Sequence, residues 1–164
     1  MVTTLHMLCG KIAAGKSSLA AELGAAPLTV VVSEDKWMAP LFGEELKEVA
    51  DYVRLSARLR KAMAPHFVDL LKAGMSVVLD YPANTLANRA WMRGIAEQAG
   101  VAHTLHWLDV PDEICRARLR ARNAAGAHEF AATDAQFDQI TSYFVPPTAQ
   151  EGLEIIVHRP EPRG

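Results

Sequence analysis

Cysteine is scarce in this chain: Cys9 and Cys115 stand alone among 164 residues, and their separation matches neither a disulfide scaffold nor a metal-binding pair. No uninterrupted apolar run is long enough to span a bilayer. No basic segment followed by an apolar stretch and a cleavage site opens the chain. A soluble, cytoplasmic protein without membrane association is therefore expected. Neither sign of charge dominates: 17 Lys and Arg against 19 Asp and Glu leave a net charge of −2. That balance removes a global electrostatic reason for nucleic-acid binding but leaves room for a local basic patch. The six histidines show no metal-ligand spacing, and His103 and His106 would point to opposite faces of one strand. Repeats, low-complexity segments and strand-turn serine motifs are absent as well.

What is present is ordinary globular composition, 50% hydrophobic and 22% charged, at a length suited to a single domain over residues 1–164. Five apolar stretches read as buried strands, at residues 3–9, 28–32, 76–79, 103–108 and 153–157. Helical patterns lie between them, and that alternation predicts an α/β domain with a central parallel sheet. Pro111, Asp112 and Glu113 mark one helix start. Thr133 and Gln136 form a capping-box pattern before another, which Pro146 and Pro147 would stop. Gly74 and Gly100 close two more. The interval from Ser33 to Gly74 is about twice what one crossover helix needs. It predicts two or three helices, a helical insertion at about 34–73 standing over the ligand-binding edge of the sheet. The tail from residue 159 to 164 is expected to be loose.

The strongest motif is Gly10-Lys11-Ile12-Ala13-Ala14-Gly15-Lys16-Ser17, a full match to the phosphate-binding loop G-x-x-x-x-G-K-[ST] between a strand and a helix. Its glycines let successive backbone N–H groups turn toward phosphate oxygens, and the helix start, with Ser18, adds its dipole. Lys16 would reach the β- and γ-phosphates of ATP, and the Ser17 hydroxyl would take a place on Mg²⁺.

Other residues bear on what happens to that nucleotide. Glu34 and Asp35 follow the second strand, where a carboxylate could accept a proton from a substrate hydroxyl. Asp35 is the favoured base, and helix capping is the competing role for both acids. Asp80 ends the third strand and is the favoured partner for Mg²⁺, with Asp109 as its competitor. Arg116, Arg118, Arg120 and Arg122 fall on one helix. Its geometry turns Arg118 and Arg122 inward, where they could clamp transferring phosphate, and Arg116 and Arg120 toward solvent, with a solvated basic face as the competing role. A lid at about 116–133 follows from the small polar stretch after them. Arg54, Arg58 and Lys61 share a helical face that could meet an anionic acceptor or simply be solvated. Trp37 could stack on a substrate ring, although core or hinge packing suits it better.

In order and spacing, these motifs resemble the small P-loop kinases of the AAA-33, or zeta-toxin and chloramphenicol-phosphotransferase-like, group. The likeness runs from the loop through Ser33-Glu34-Asp35 and Val78-Leu79-Asp80-Tyr81-Pro82-Ala83-Asn84-Thr85, with Arg89 downstream. It continues through Arg118 to Arg122 and Phe144-Val145-Pro146-Pro147 to Glu151-Gly152. The resemblance implies a three-layer P-loop NTPase fold, a five-stranded parallel sheet of nucleoside-kinase order 2-3-1-4-5 with an arginine-bearing lid. It implies ATP and Mg²⁺, Asp35 as base on an acceptor hydroxyl, and Arg118 and Arg122 as lid arginines. Where many members carry an arginine soon after that acid, this chain has Lys36-Trp37-Met38. The leading expectation is an ATP-dependent kinase acting on a small-molecule hydroxyl. The alternatives are a kinase of polynucleotide 5′-hydroxyls and a nucleotide-binding regulatory module that transfers nothing.

Overall fold

The computed structural model describes residues 2–126 and 132–160. Five parallel strands form one sheet: β1 (Thr4–Cys9), β2 (Thr29–Ser33), β3 (Ser76–Pro82), β4 (Ala102–Leu108) and β5 (Ile155–His158). Their spatial order is β2-β3-β1-β4-β5, the order implied by the family resemblance. Each strand agrees with its sequence expectation to within a few residues. β3 runs three residues further than expected and keeps Asp80 inside the strand, paired in register with Ser33.

Helices cover both faces because every interior strand is apolar on both sides. On one face, Leu5, Met7, Val77, Leu79 and Leu105 pack against Phe67, Leu71, Met92 and Ile95. Those four come from α3 (Val49–Lys72) and α4 (Leu86–Ala99). On the other, Leu8 and Val78 meet Ala20 of α1 (Lys16–Gly24). Leu108 there meets Cys115 and Leu119 of α5 (Asp112–Ala125). Three layers result, with strand ends and connecting loops gathered at the carboxyl edge of the sheet.

The long interval after β2 holds two helices, α2 (Glu34–Phe42) and α3. They share a small core of Met38, Leu55 and Leu59, with Phe42, Leu46 and Tyr52 at its margin. Ser33 caps α2 by accepting from Lys36 N, and Thr133 and Gln136 form the expected capping box of α6 (Asp134–Thr141). Arg116 and Arg120 face outward as expected, yet both are paired, with Asp138 at 2.6 Å and Asp134 at 2.8 Å. They tie α5 to α6. The expected lid lies partly outside the described residues, at 127–131, as does most of the expected loose tail, at 161–164. No helix among the described residues is long and apolar enough to cross a membrane.

Candidate active site

The phosphate loop turns between β1 and α1 through two left-handed residues, Ala13 (φ 63°) and Gly15 (φ 106°). Gly15 is needed for that angle. Gly10 is needed for space, since a Cβ there would lie 3.1 Å from the Ala14 Cβ and 3.3 Å from the Leu108 Cβ. The start of α1 differs from the other helix starts: it has neither a side-chain cap nor an acid in its first turn. By contrast α2, α3, α5 and α6 each begin with acids, and α4 is capped by Thr85. An uncapped, acid-free helix start leaves N–H groups and a positive dipole end for an anion.

The loop is held from behind. Asn84 grips Gly10 twice, its Oδ1 accepting from Gly10 N at 2.9 Å and its Nδ2 donating to Gly10 O at 2.8 Å. The connection carrying Asn84 is itself fixed by the fully buried Arg89, which donates to the Ala83 carbonyl and to both oxygens of Glu151. The motif residues Asn84, Arg89 and Glu151 thus form one support for the loop, a role not assigned to them from the sequence.

Within the loop, Lys16 Nζ donates to the carbonyls of Gly10 (2.6 Å) and Lys11 (2.9 Å). Burial holds its pKa below the ordinary lysine value, with Asp80 and Asp35 among the groups opposing that shift. Ser17 Oγ donates to Asp80 Oδ2 at 3.0 Å. This hydroxyl and carboxylate are hard oxygen donors side by side, which suits Mg²⁺. Asp109 lies elsewhere, facing Arg159 at 3.4 Å. Lys11 turns away to Asp112 and to the ring of Phe144.

A cleft of about 970 Å³ opens over the loop. Lys16, Ser17, Ser18, Asp80, Arg118 and Arg122 line its loop end, and Asp35 lines the side given by α2. Ile12, Ala13 and Gly15 lie along it too, whereas Ala14 is packed beneath. Arg118 donates to the Ala14 carbonyl at 3.3 Å. Burial lowers the Arg122 pKa against the pull of Asp35. Its Nε is buried with no hydrogen-bond partner among the described residues.

Glu34 and Asp35, neighbours in the first turn of α2, are separated here. Glu34 is 1% exposed, accepts from the Tyr52 hydroxyl and pairs with Arg60 Nε at 3.0 Å. Arg60 also donates to Asn88 and lies over the rings of Tyr81 and Trp91. Asp35, one residue on, is the acid in the cleft. Arg54, Arg58 and Lys61 are exposed and do not line it. Trp37 corrects its expectation: it is 44% exposed, outside both the core and the cleft lining.

A family model described as an AAA domain, AAA_33, matches residues 5–147. The chain belongs to the AAA_33 family. Its kinase-like P-loop fold is similar to that of a candidate kinase from Chloroflexus aurantiacus, with TM-score 0.74, 16% identity, and coverage of 96% of this chain and 85% of that one. It is also similar to the Mycobacterium tuberculosis APS kinase CysC in complex with AMPPNP and APS, with TM-score 0.63, 20% identity, and coverage of 99% and 91%. A chain of the Pnkp1/Rnl/Hen1 RNA repair complex matches with TM-score 0.62 and 19% identity over 87% of this chain and 44% of that one. At such identities the likeness carries the fold alone. Among proteins of curated function, none matches the AAA_33 chain in sequence.

The histidines form an arrangement that the sequence did not suggest. His103 accepts from Glu154 N, but His106 sits between His6 and His158 on the neighbouring strands, with a 3.0 Å nitrogen–nitrogen contact to each. A neutral His106 meets both contacts with one N–H and one lone pair. Burial, aided by its two neighbours, pushes its pKa down to about 4. The ring nitrogens run as a chain rather than converging on a point.

Proposed function

We propose that this AAA_33 protein is an ATP-dependent phosphotransferase that moves the γ-phosphate of ATP to a hydroxyl of a small molecule. The observation that carries this reading is a single cleft lined both by the phosphate loop and by Asp35. The loop N–H groups and Lys16 hold the triphosphate. Ser17 directly and Asp80 through water would hold Mg²⁺, which when bound supplies charge neutralisation on the phosphates. Asp35 accepts the acceptor's hydroxyl proton as the acceptor oxygen bonds to the γ-phosphorus. The bond from that phosphorus to the β,γ-bridging oxygen breaks and ADP leaves. Arg118 and Arg122 stabilise the charge in transit, and the unpartnered Arg122 Nε supports this role.

The test is Asp35→Asn, assayed with γ-labelled ATP, Mg²⁺ and fractionated small-molecule extract. Label transfer should fall by about 10²–10⁴-fold. Calorimetric affinity for a non-hydrolysable ATP analogue should stay within about threefold. Transfer at the parent rate rejects Asp35 as the base. A polynucleotide acceptor has less support, because Arg54, Arg58 and Lys61 lie outside the cleft lining.

A further inference from the structure

Helix α2 has little of its own to hold it in place. It runs for 9 residues, carries Pro40 in its interior and buries two side chains, Glu34 and Met38. A helix so short is marginal without tertiary contacts, and an interior proline removes one of its hydrogen bonds. Met38 packs in the small core with Leu55 and Leu59, a contact that is non-directional. The rotation of the first turn is therefore set by the hydrogen bonds of Glu34. Asp35, about 100° further round the helix, turns with it.

Those hydrogen bonds do not end at α3. Arg60 donates from Nε to Glu34 Oε2 at 3.0 Å and from Nη1 to Asn88 Oδ1 at 2.8 Å. Asn88 Nδ2 donates in turn to the Pro82 carbonyl at 3.1 Å, where β3 ends. A guanidinium can only donate and a carbonyl can only accept, so a side-chain amide suits the place between them. Asn88 is itself well fixed. Its N–H donates to the capping Thr85 Oγ1 at 3.1 Å, and the next residue, Arg89, is fully buried. Earlier in the same connection, Asn84 grips Gly10 of the phosphate loop. One short stretch, 82–89, thus holds the loop through one asparagine and the turn bearing Asp35 through another.

From this juxtaposition we infer that Asn88 is a positioning residue for Asp35, acting through Arg60 and Glu34, so that residues 82–89 set the base against the phosphate loop. The inference rests on the phosphotransferase reading, which makes Asp35 the base, and adds the group that aims it. Asn88 does not line the cleft, so nucleotide and acceptor do not meet it there. Its effect is on whether the Asp35 carboxylate stands within reach of the acceptor hydroxyl. Rates fall steeply when such a group is misplaced by a small distance.

The experiment uses the full chain with γ-labelled ATP, Mg²⁺ and fractionated small-molecule extract. Asn88→Leu, similar in size but without the amide, should lower label transfer by about tenfold or more. Affinity for a non-hydrolysable ATP analogue should stay within about threefold. The deciding measurement is the same change made in Asp35→Asn. A residue that acts only through Asp35 has nothing left to position there, so the residual rate should move by less than about threefold.

A tenfold loss on both backgrounds would make Asn88 a general support of the fold and overturn the inference. Transfer at the parent rate in Asn88→Leu would overturn it too, as would a loss of analogue affinity that matches the loss of rate. All three leave the phosphotransferase reading standing. Parent-rate transfer in Asp35→Asn, or no labelled product from the parent protein, overturns that reading and the inference together. If Asn88→Leu does not fold, Arg60→Lys takes its place. Lysine keeps a cation beside Glu34 but lacks the fork that serves Glu34 and Asn88 at once. It should show the same loss alone and the same indifference with Asp35→Asn, and full transfer in Arg60→Lys overturns the inference.

Discussion

The phosphate cradle at the loop end of the cleft comes from one stretch, residues 10–18, to which β3 adds Asp80 and α5 adds Arg118 and Arg122, whereas the far end is assembled from side chains of α2, α3 and the segment between them. One is a backbone device: glycines, N–H groups and a helix dipole, with Lys16 added. The other is a side-chain device, whose aim depends on a buried pair between residues 26 positions apart, Glu34 and Arg60. Function that lives in backbone geometry is written in consecutive residues. Function that lives in packing is written across the chain. The two ends should therefore fail differently when perturbed.

The largest effect is expected at the loop end. Lys16→Ala removes the ammonium that would meet the β- and γ-phosphates and should lower kcat/KM by roughly 10³-fold or more. Unlike Asp35→Asn, it should also weaken binding of a non-hydrolysable ATP analogue in calorimetry. If both variants weakened nucleotide binding alike, the division into donor and acceptor ends would be broken.

The next effect belongs to the far end and is one of stability. Arg60→Met leaves the Glu34 carboxylate, 1% exposed, without its cation, and breaking a buried pair this way costs about 3–5 kcal/mol. Urea unfolding should report that loss. The double variant Glu34→Gln with Arg60→Met should recover a good part of it, because no uncompensated charge is left buried. A single variant as stable as the parent would show that α2 and α3 are held together without the pair.

These contrasts explain which parts of the molecule were legible from sequence. The loop was, because its chemistry needs four residue types at fixed spacing and nothing distant. The strands and their alternation with helices were too, since apolar runs and glycine stops are local signals. Inward-facing Arg118 and Arg122 followed from helical angle alone. Asp35 was favoured over Glu34, but the contact that separates them was not legible, because burial of Glu34 depends on Tyr52 and Arg60, 18 and 26 residues away. Asn84 stood in its motif with no assigned role, because its grip on Gly10 spans 74 residues. Trp37 misled because a large aromatic ring suggests packing, whereas on α2 it stands 44% exposed and outside the cleft lining.

The histidine chain is the clearest case of a feature invisible before folding. His6, His106 and His158 lie 100 and 52 residues apart and meet only because β1, β4 and β5 are neighbours in the sheet. Their face of the sheet is the one that carries α1 and α5, beneath the loop end, so their titration distinguishes the two ends once more. His106 has a folded pKa of about 4 against an ordinary value of 6.5, with burial as the main cause and the charges of His6 and His158 adding to it. The unfolded chain therefore binds more protons between those values, and stability rises with pH across that window. It should be fully present above the unfolded pKa and be lost as pH falls toward the folded one, by about 1–2 kcal/mol between about pH 7 and pH 5. His106→Gln keeps a donor and an acceptor in the chain but cannot titrate, so urea midpoints should show a shallower slope in that variant. An unchanged slope would assign the acid sensitivity to groups other than His106. A steeper slope in Arg60→Met would bring the far end into the same titration, and the two ends of the cleft would then no longer be independent in their response to pH.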